Sequence, residues 1–325
     1  MGKLLPHWGY SAQPASSYCK QKLSFDVFGV VFHGVPSNSF YVFHEGAAGA
    51  KNSDRTISCL DDCIHRTVPV WVRHLVLVLD NAQVDKNQFT IGWMAEMVKT
   101  GRLNSFRLML MVPGHTKLSP DEVFARVAHS FYRQDVFTQA ELLAITDQYG
   151  NAHSMDGSSI FKWREVLPRA YKPVPQIKEL HDFCWNARES EDSEENARSL
   201  MTVRKLCFEG AYNTVNLATA NNIDVRAELR STATAEECPG IRPDKLEQLI
   251  EQYNRWIPDD RRLDVLPPRQ QLSTTGQSVT TLAGALSDAP VTSALAQAHQ
   301  SMRQRRKCSV PGCLGIGHKN PKRWA

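Results

Sequence analysis

The chain has 325 residues, of which 42% are hydrophobic and 22% are charged, and its formal net charge is +4. No apolar run approaches the length of about 20 residues that spans a membrane, and the first residues contain no signal-peptide hydrophobic region. A membrane-spanning or secreted protein is therefore not expected, and we predict a soluble nuclear or cytoplasmic protein with reduced cysteines. The modest net charge does not by itself indicate nucleic acid.

The first predicted elements are a pair of strands followed by a helix. Residues 24–32 and 40–46 are rich in β-branched and aromatic side chains and are separated by a polar turn, which is typical of an antiparallel hairpin. Residues 52–67 place apolar side chains on one face, and either Asn52 or Ser53 can cap that helix.

Strands and helices then alternate along the chain. Residues 73–79 and 105–112 are apolar runs with the pattern of fully buried parallel strands. Residues 87–101 are amphipathic and end in a glycine that can terminate a helix, and residues 119–134 have a clear helix start. This alternation after a hairpin predicts an α/β protein with a mixed sheet and helices on both faces.

The second half of the chain predicts a mainly helical extension with a few short strands. Helices are predicted over residues 161–171, 176–186 and 242–256, and strands over residues 200–208 and 212–218.

Five regions follow from these patterns. They are a leading segment without periodicity (1–21), an α/β core (22–150), a C-terminal part of the same region (151–265), a flexible linker (266–300) and a basic tail (301–325).

Two acidic residues follow the predicted buried strands. Asp80 and Asn81 come directly after the first strand, while His115 follows the second and Asp121 opens the next helix. Acids at the C-terminal ends of parallel strands share one crevice in open α/β sheets and can hold Mg²⁺ or Mn²⁺ against phosphate oxygens. Ordinary turn and helix-start chemistry explains the same residues and is slightly favoured by the spacing alone.

The C-terminal tail contains candidate zinc ligands. Cys308, Cys313 and His318 have the spacing Cys-x4-Cys-x4-His in a glycine-rich segment, which suits tetrahedral zinc. Only three ligands are present, and His299 is a further candidate for the fourth. Residues 303–307, Arg-Gln-Arg-Arg-Lys, suit contact with DNA phosphates or a nuclear-import signal. A disordered basic tail with incidental cysteines is the alternative interpretation.

The main body resembles a domain of unknown function found in eukaryotic transposon-derived proteins, over roughly residues 20–265. The residues that carry the resemblance are Phe28-Gly29-Val30, Tyr41 to Gly46, Ile57-Ser58, Leu79-Asp80-Asn81, Lys86-Asn87, Gly114-His115-Thr116, Asp121, Phe124 and parts of the later helices.

The resemblance implies an RNase H-like transposase core with three antiparallel strands before the first helix. The first strand lies centrally and carries the first metal-binding acid. Asp80 would be the second acid and Asp121 the third, with His115 as a ligand or phosphate contact and Asn81 beside the metal ligands. Asp26 is an acid in the region of the first. Because only two strands are predicted before the first helix, we expect a core that lacks its first strand.

The tail resembles the first half of a C2HC finger of the myelin-transcription-factor type. The matching residues are Cys308, Pro311, Gly312, Cys313, Gly315, Gly317 and His318, whereas Ser309 departs from the motif. The resemblance implies a further histidine and a cysteine, and the next of these falls just past Ala325. The tail therefore predicts a shortened zinc finger.

These observations predict a transposase-related protein that is catalytically inactive or a fragment without a selected function. One alternative is a DNA- or chromatin-binding protein that acts through the basic tail. Another is a protein-interaction module, for which the acidic residues 189–195 are a candidate surface.

Overall fold

The structure is a computed structural model, and the chain divides into two units, Met1–Arg269 and Gln270–Ala325. All described residues lie in the first unit. They are residues 1–34, 37–47, 51–79, 86–111, 119–186, 200–207, 210–219, 221, 223–231 and 239–267.

The described residues contain nine strands and seven α-helices. The strands are β1 (Gly2–Leu5), β2 (Leu23–Val30), β3 (Ser39–His44), β4 (His74–Leu79), β5 (Ser105–Leu110), β6 (Asn151–Ser154), β7 (Asp182–Asn186), β8 (Leu200–Arg204) and β9 (Asn213–Asn216). The helices are α1 (Ser53–Arg66), α2 (Gln88–Lys99), α3 (Ser119–Tyr132), α4 (Gln139–Asp147), α5 (Trp163–Ala170), α6 (Val225–Ser231) and α7 (Pro243–Trp256).

The strands form two mixed sheets, which confirms the predicted mixed α/β class. The first sheet has the order β1-β2-β3-β6, in which β3 and β6 are parallel and the other pairs are antiparallel. The second has the order β4-β5-β7-β8-β9, in which only β4 and β5 are parallel. The single sheet expected from the sequence is thus divided, because among the described residues no strand joins β2 to β4.

The predicted hairpin is confirmed, and a short strand precedes it. Phe28 lies opposite Tyr41 along the β2–β3 ladder. The additional strand β1 pairs antiparallel with residues 23–26 of β2. Three antiparallel strands therefore come before α1. The four residues of β1 are too few to show a periodic pattern.

The predicted helix starts are confirmed by their caps. The Asn52 side chain accepts a hydrogen bond from the Arg55 amide at 3.0 Å and caps α1. Asn87 caps α2 in the same way, and Gly101 follows that helix with φ of 72°, in the left-handed region that glycine favours. Pro243 occupies the first turn of α7.

The helix predicted over residues 176–186 is wrong. The chain makes a short 3₁₀ turn and then enters β7, which lies between β5 and β8. Phe183 and Trp185 are fully buried at alternate positions of this strand, and tertiary burial outweighs the local preference. The predicted helix over residues 161–171 and the strands over residues 200–208 and 212–218 are confirmed as α5, β8 and β9.

Side chains of β2 alternate between two cores. Phe25 and Val27 pack with α3, α4 and α7, whereas Phe28 and Val30 pack towards α1 and the second core, which contains α2, α5 and α6. Helices therefore cover both faces of the first sheet.

Strand β4 differs from the fully buried strand predicted for its sequence. Among the described residues it pairs with β5 on one side only, at the edge of the second sheet. Its Val76 and Val78 side chains remain 57% and 40% exposed. This apolar run is therefore a strand with partly exposed side chains at a sheet edge.

Candidate carboxylate site

A cavity of about 650 Å³ lies where the predicted carboxylate site is expected. Residues 27–33 border it on one side and residues 75–79 of β4 on the other, and the start of α3 completes the lining. Leu79, which directly precedes Asp80, and Asp121 are both among the lining residues. The structure thus brings Asp121 and the end of β4 to one cavity.

Asp121 lies in the first turn of α3, next to Ser119 and Pro120. The Ser119 hydroxyl is 3.2 Å from His33 Nε2, which connects the helix start to the segment that follows β2. Gly29 leaves room for Phe124 of the same helix, since a Cβ there would lie 2.7 Å from the Phe124 ring. An acid in a first turn also interacts favourably with the helix dipole, so Asp121 has a structural role whether or not it binds a ligand.

The other predicted members of this site lie outside the described residues. These are Asp80, Asn81 and His115. The distance between the Asp80 and Asp121 carboxylates therefore stays a prediction. The zinc candidates Cys308, Cys313, His318 and His299 also lie outside the described residues.

Asp26, the sequence candidate for the first acid, is an ion-paired residue. It lies on β2, with Lys51 Nζ at 2.6 Å and Arg55 Nη2 at 3.4 Å. Arg55 also lies over the Phe43 ring, 4.9 Å from its centroid. Two cations already balance this carboxylate, so it connects β2 to α1.

Two buried carboxylates that sequence reasoning missed hold the second core together. Asp182 is fully buried and accepts hydrogen bonds from Arg107 on β5, at 2.9 and 2.7 Å, and from Arg204 on β8. Asp61 on α1 accepts hydrogen bonds from the Nη1 and Nη2 atoms of Arg226, at 2.7 and 2.6 Å. Both carboxylates are buried and paired with arginine, which is typical of structural ion pairs. Their partners lie 22 to 165 residues away in sequence, so local spacing gives no signal for them.

A second, polar cavity of about 580 Å³ lies between α1 and β6. The Tyr41 hydroxyl donates to Asp62 at 2.8 Å, and Arg66 donates to the same carboxylate. Burial alone would raise the pKa of Asp62, but the hydrogen bonds from Arg66 and Tyr41 hold it below its usual range. Burial lowers the pKa of His153 at the rim, so this histidine is neutral near pH 7. The Asp62 carboxylate and its two donors therefore form a fixed hydrogen-bond network.

No group of three or more His, Cys, Asp or Glu side chains placed to hold a metal occurs among the described residues. Within the same part of the chain, no helix has the length and hydrophobicity to cross a membrane.

A comparison with known protein families identifies the family of this chain. The model of a domain of unknown function (DUF7869) matches residues 16–202, more than half of the 325 residues. The chain therefore belongs to this family. No curated protein and no solved structure matches it.

Proposed function

We propose that the chain is a transposase-derived, RNase H-like protein that binds rather than cleaves DNA. The order β1-β2-β3-α1-β4-α2-β5-α3 supports this proposal. It is the order of three antiparallel strands, helix, strand, helix, strand, helix that an RNase H core has.

The small number of available carboxylates supports the proposal that the protein does not cleave DNA. Two-metal phosphoryl chemistry needs several carboxylates to hold both ions against the attacking and leaving oxygens. Strand β1 is Gly-Lys-Leu-Leu and contributes no acid, and Asp26 on β2 is balanced by Lys51 and Arg55. Asp80 and Asp121, with His115 and Asn81, are then the remains of a Mg²⁺ or Mn²⁺ site.

A cleavage assay tests this proposal directly. The full chain is incubated with supercoiled DNA and Mg²⁺ or Mn²⁺, beside the Asp80→Ala variant and a Glu122→Ala control. Glu122 neighbours Asp121, is largely exposed and forms an ion pair with Arg126 on the helix surface. We expect equal, background conversion of the DNA in all three samples. Cleavage that Asp80→Ala abolishes and Glu122→Ala retains would overturn the proposal.

DNA binding through the tail is the activity that we propose in place of cleavage. The basic residues 303–307 and the zinc candidates Cys308, Cys313 and His318 support it. Because lysine and arginine displace counterions from phosphates, the affinity should fall steeply as salt rises.

The tail proposal is tested by comparing the full chain with a variant that lacks residues 301–325. We expect the salt-dependent affinity to disappear in the variant, while zinc removal weakens binding by the full chain. Equal affinity of the two chains would refute a tail-based contact.

A further inference from the structure

The turn between α1 and β4 carries two large apolar side chains in solvent. The Val72 amide donates to the Pro69 carbonyl at 3.0 Å and closes a four-residue turn, in which Val70 and Trp71 are the central residues. These two residues are 78% and 77% exposed. Gly, Pro, Asn, Asp and Ser dominate turns, so local turn chemistry does not explain a valine and a tryptophan at this position. We call residues 69–73 the tryptophan turn.

The side chain of Arg102 fixes the backbone on both sides of the tryptophan turn. Its guanidinium donates to the carbonyls of Ile64 and Val68 at 3.1 and 2.8 Å, and to the carbonyl of Val72 at 3.1 Å. Ile64 lies in the last turn of α1, where carbonyls lack partners within the helix. One arginine therefore ties the helix end to the turn that presents Trp71. A turn that is ordered before a ligand arrives lowers the entropy cost of binding.

The arginines of this region have no acidic neighbours in sequence. Residues 63–79 and 97–111, which contain β4 and β5 with their preceding loops, include no aspartate or glutamate. Arg73 donates to the Arg102 carbonyl at 3.3 Å, and neither arginine forms an ion pair with a described residue. Burial lowers the pKa of Arg102, and the charge of Arg73 lowers it further. Two positive charges therefore lie close together, and an anionic ligand would relieve their repulsion.

An exposed aromatic ring beside unbalanced arginines matches the chemistry of single-stranded nucleic acid. Proteins bind such strands by stacking bases on aromatic side chains while cations contact the phosphates. A duplex keeps its base faces stacked inside, out of reach of Trp71. A membrane surface fits less well, because interfacial segments bury a broad apolar face, whereas this turn has two apolar side chains at its tip. An acidic peptide would use the arginines and leave the ring face of Trp71 uncovered.

We propose that the tryptophan turn binds one nucleotide of a single-stranded nucleic acid, DNA or RNA, with its base stacked on Trp71 and a neighbouring phosphate on Arg73. Arg102 holds the turn in place and adds a second positive charge. This inference goes beyond the proposed tail contact and does not depend on it. The tail contact involves phosphates and residues 303–307, whereas the tryptophan turn requires an exposed base.

Photo-cross-linking of the full chain locates the contact. A short oligodeoxythymidine that carries one iodouracil is irradiated with the protein, and the corresponding RNA strand is tested beside it. An excess of unmodified duplex DNA occupies the phosphate contacts of the tail without offering a base face. We expect a cross-linked peptide that contains Trp71 with at least one of the two strands. Cross-links confined to residues 301–325 would overturn this proposal and leave the tail contact standing.

The strength of the stack is measured by fluorescence anisotropy of the same strands with the full chain and the same duplex excess. Trp71→Ala should weaken binding about tenfold, whereas Trp71→Phe keeps a ring and should retain most of the affinity. Tyr10→Ala is the matched control, because Tyr10 is 80% exposed and its amide donates to the Asp135 carboxylate. Urea midpoints check that all variants are folded. Equal affinities of Trp71→Ala and Tyr10→Ala would overturn the proposal.

The phosphate contact is tested by the dependence of binding on salt. Arg73→Gln should reduce the slope of log affinity against log salt by about 0.7, the value for one phosphate contact on a single strand. The exposed Arg133 lies outside the turn, so Arg133→Gln should leave the slope unchanged. Equal slopes for the two variants would refute the contact by Arg73. Binding to phosphatidylserine vesicles that requires Trp71, without binding to either strand, would show that the turn contacts membranes instead and would overturn the proposal.

Discussion

Replacement of Asp182 by asparagine is expected to destabilise the second sheet more than any exposed substitution. The carboxylate is fully buried and accepts hydrogen bonds from Arg107 and Arg204. These partners lie on β5 and β8, the strands on either side of β7. An asparagine of the same shape leaves two guanidinium groups facing a neutral amide.

The size of the effect follows from the exposure of the two partners. The Arg204 side chain is 8% exposed and loses the counter-charge of Asp182, whereas Arg107 is 23% exposed and can reach water. Breaking a buried pair costs about 3–5 kcal/mol, and the partial exposure of Arg107 puts this case near the lower limit, at about 3 kcal/mol.

Urea unfolding of the full chain measures this loss, with Glu122→Gln as the matched control. The Glu122–Arg126 pair is 76% and 57% exposed, so its loss should cost less than about 0.5 kcal/mol. A loss below about 1 kcal/mol for Asp182→Asn would refute the reasoning from burial.

The pH dependence provides an independent check of the same ion pair. Burial alone would raise the pKa of Asp182, but the hydrogen bonds from Arg107 and Arg204 hold it below its usual range. A lowered folded-state pKa stabilises the protein above the unfolded-state value of about 3.9, and this contribution disappears as the pH falls through the folded-state pKa. The stability difference between wild type and Asp182→Asn should therefore shrink below about pH 4.

Three further predictions concern local structure. Asn52→Ala removes the cap of α1 and should lower the free energy of unfolding by about 1 kcal/mol in urea; an unchanged midpoint would contradict the cap. Burial raises the pKa of Glu96, although the Tyr171 hydroxyl donates to it at 2.8 Å, so stability should fall as the pH rises through that pKa, and Glu96→Gln should remove this slope without loss at pH 7. Burial raises the pKa of Cys63 to about 11, so iodoacetamide should modify the exposed Cys19 and spare Cys63 in the folded chain; equal rates would show that α1 opens.

The parts of the fold that the sequence predicts well are those with strong local signals. Asn52, Asn87 and Pro243 start helices that the structure confirms, because capping and first-turn preferences depend on adjacent residues. The helix prediction for residues 176–186 is wrong for the opposite reason. The burial of Phe183 and Trp185 against strands that are distant in sequence decides their conformation.

The candidate site is predicted less completely than the fold. The end of β4 and Asp121 line one cavity, while the place of Asp80, Asn81 and His115 in it stays a prediction from the alternation of strands and helices. This alternation does not show that Asp26 is balanced by Lys51 and Arg55, because ion pairs form between side chains that only the folded chain brings together. An acid near the expected position is therefore weak evidence for a metal ligand until its cationic neighbours are known.

The division of the sheet explains why the prediction for β4 fails. Continuous apolar strands belong to positions that are covered on both sides, and proteins protect exposed strand edges with charges, prolines or bulges. The run His74–Leu79 has none of these protections along its valines and leucines, yet Val76 and Val78 are exposed at an edge. The sequence of β4 is thus that of a paired central strand, while its position is that of an edge.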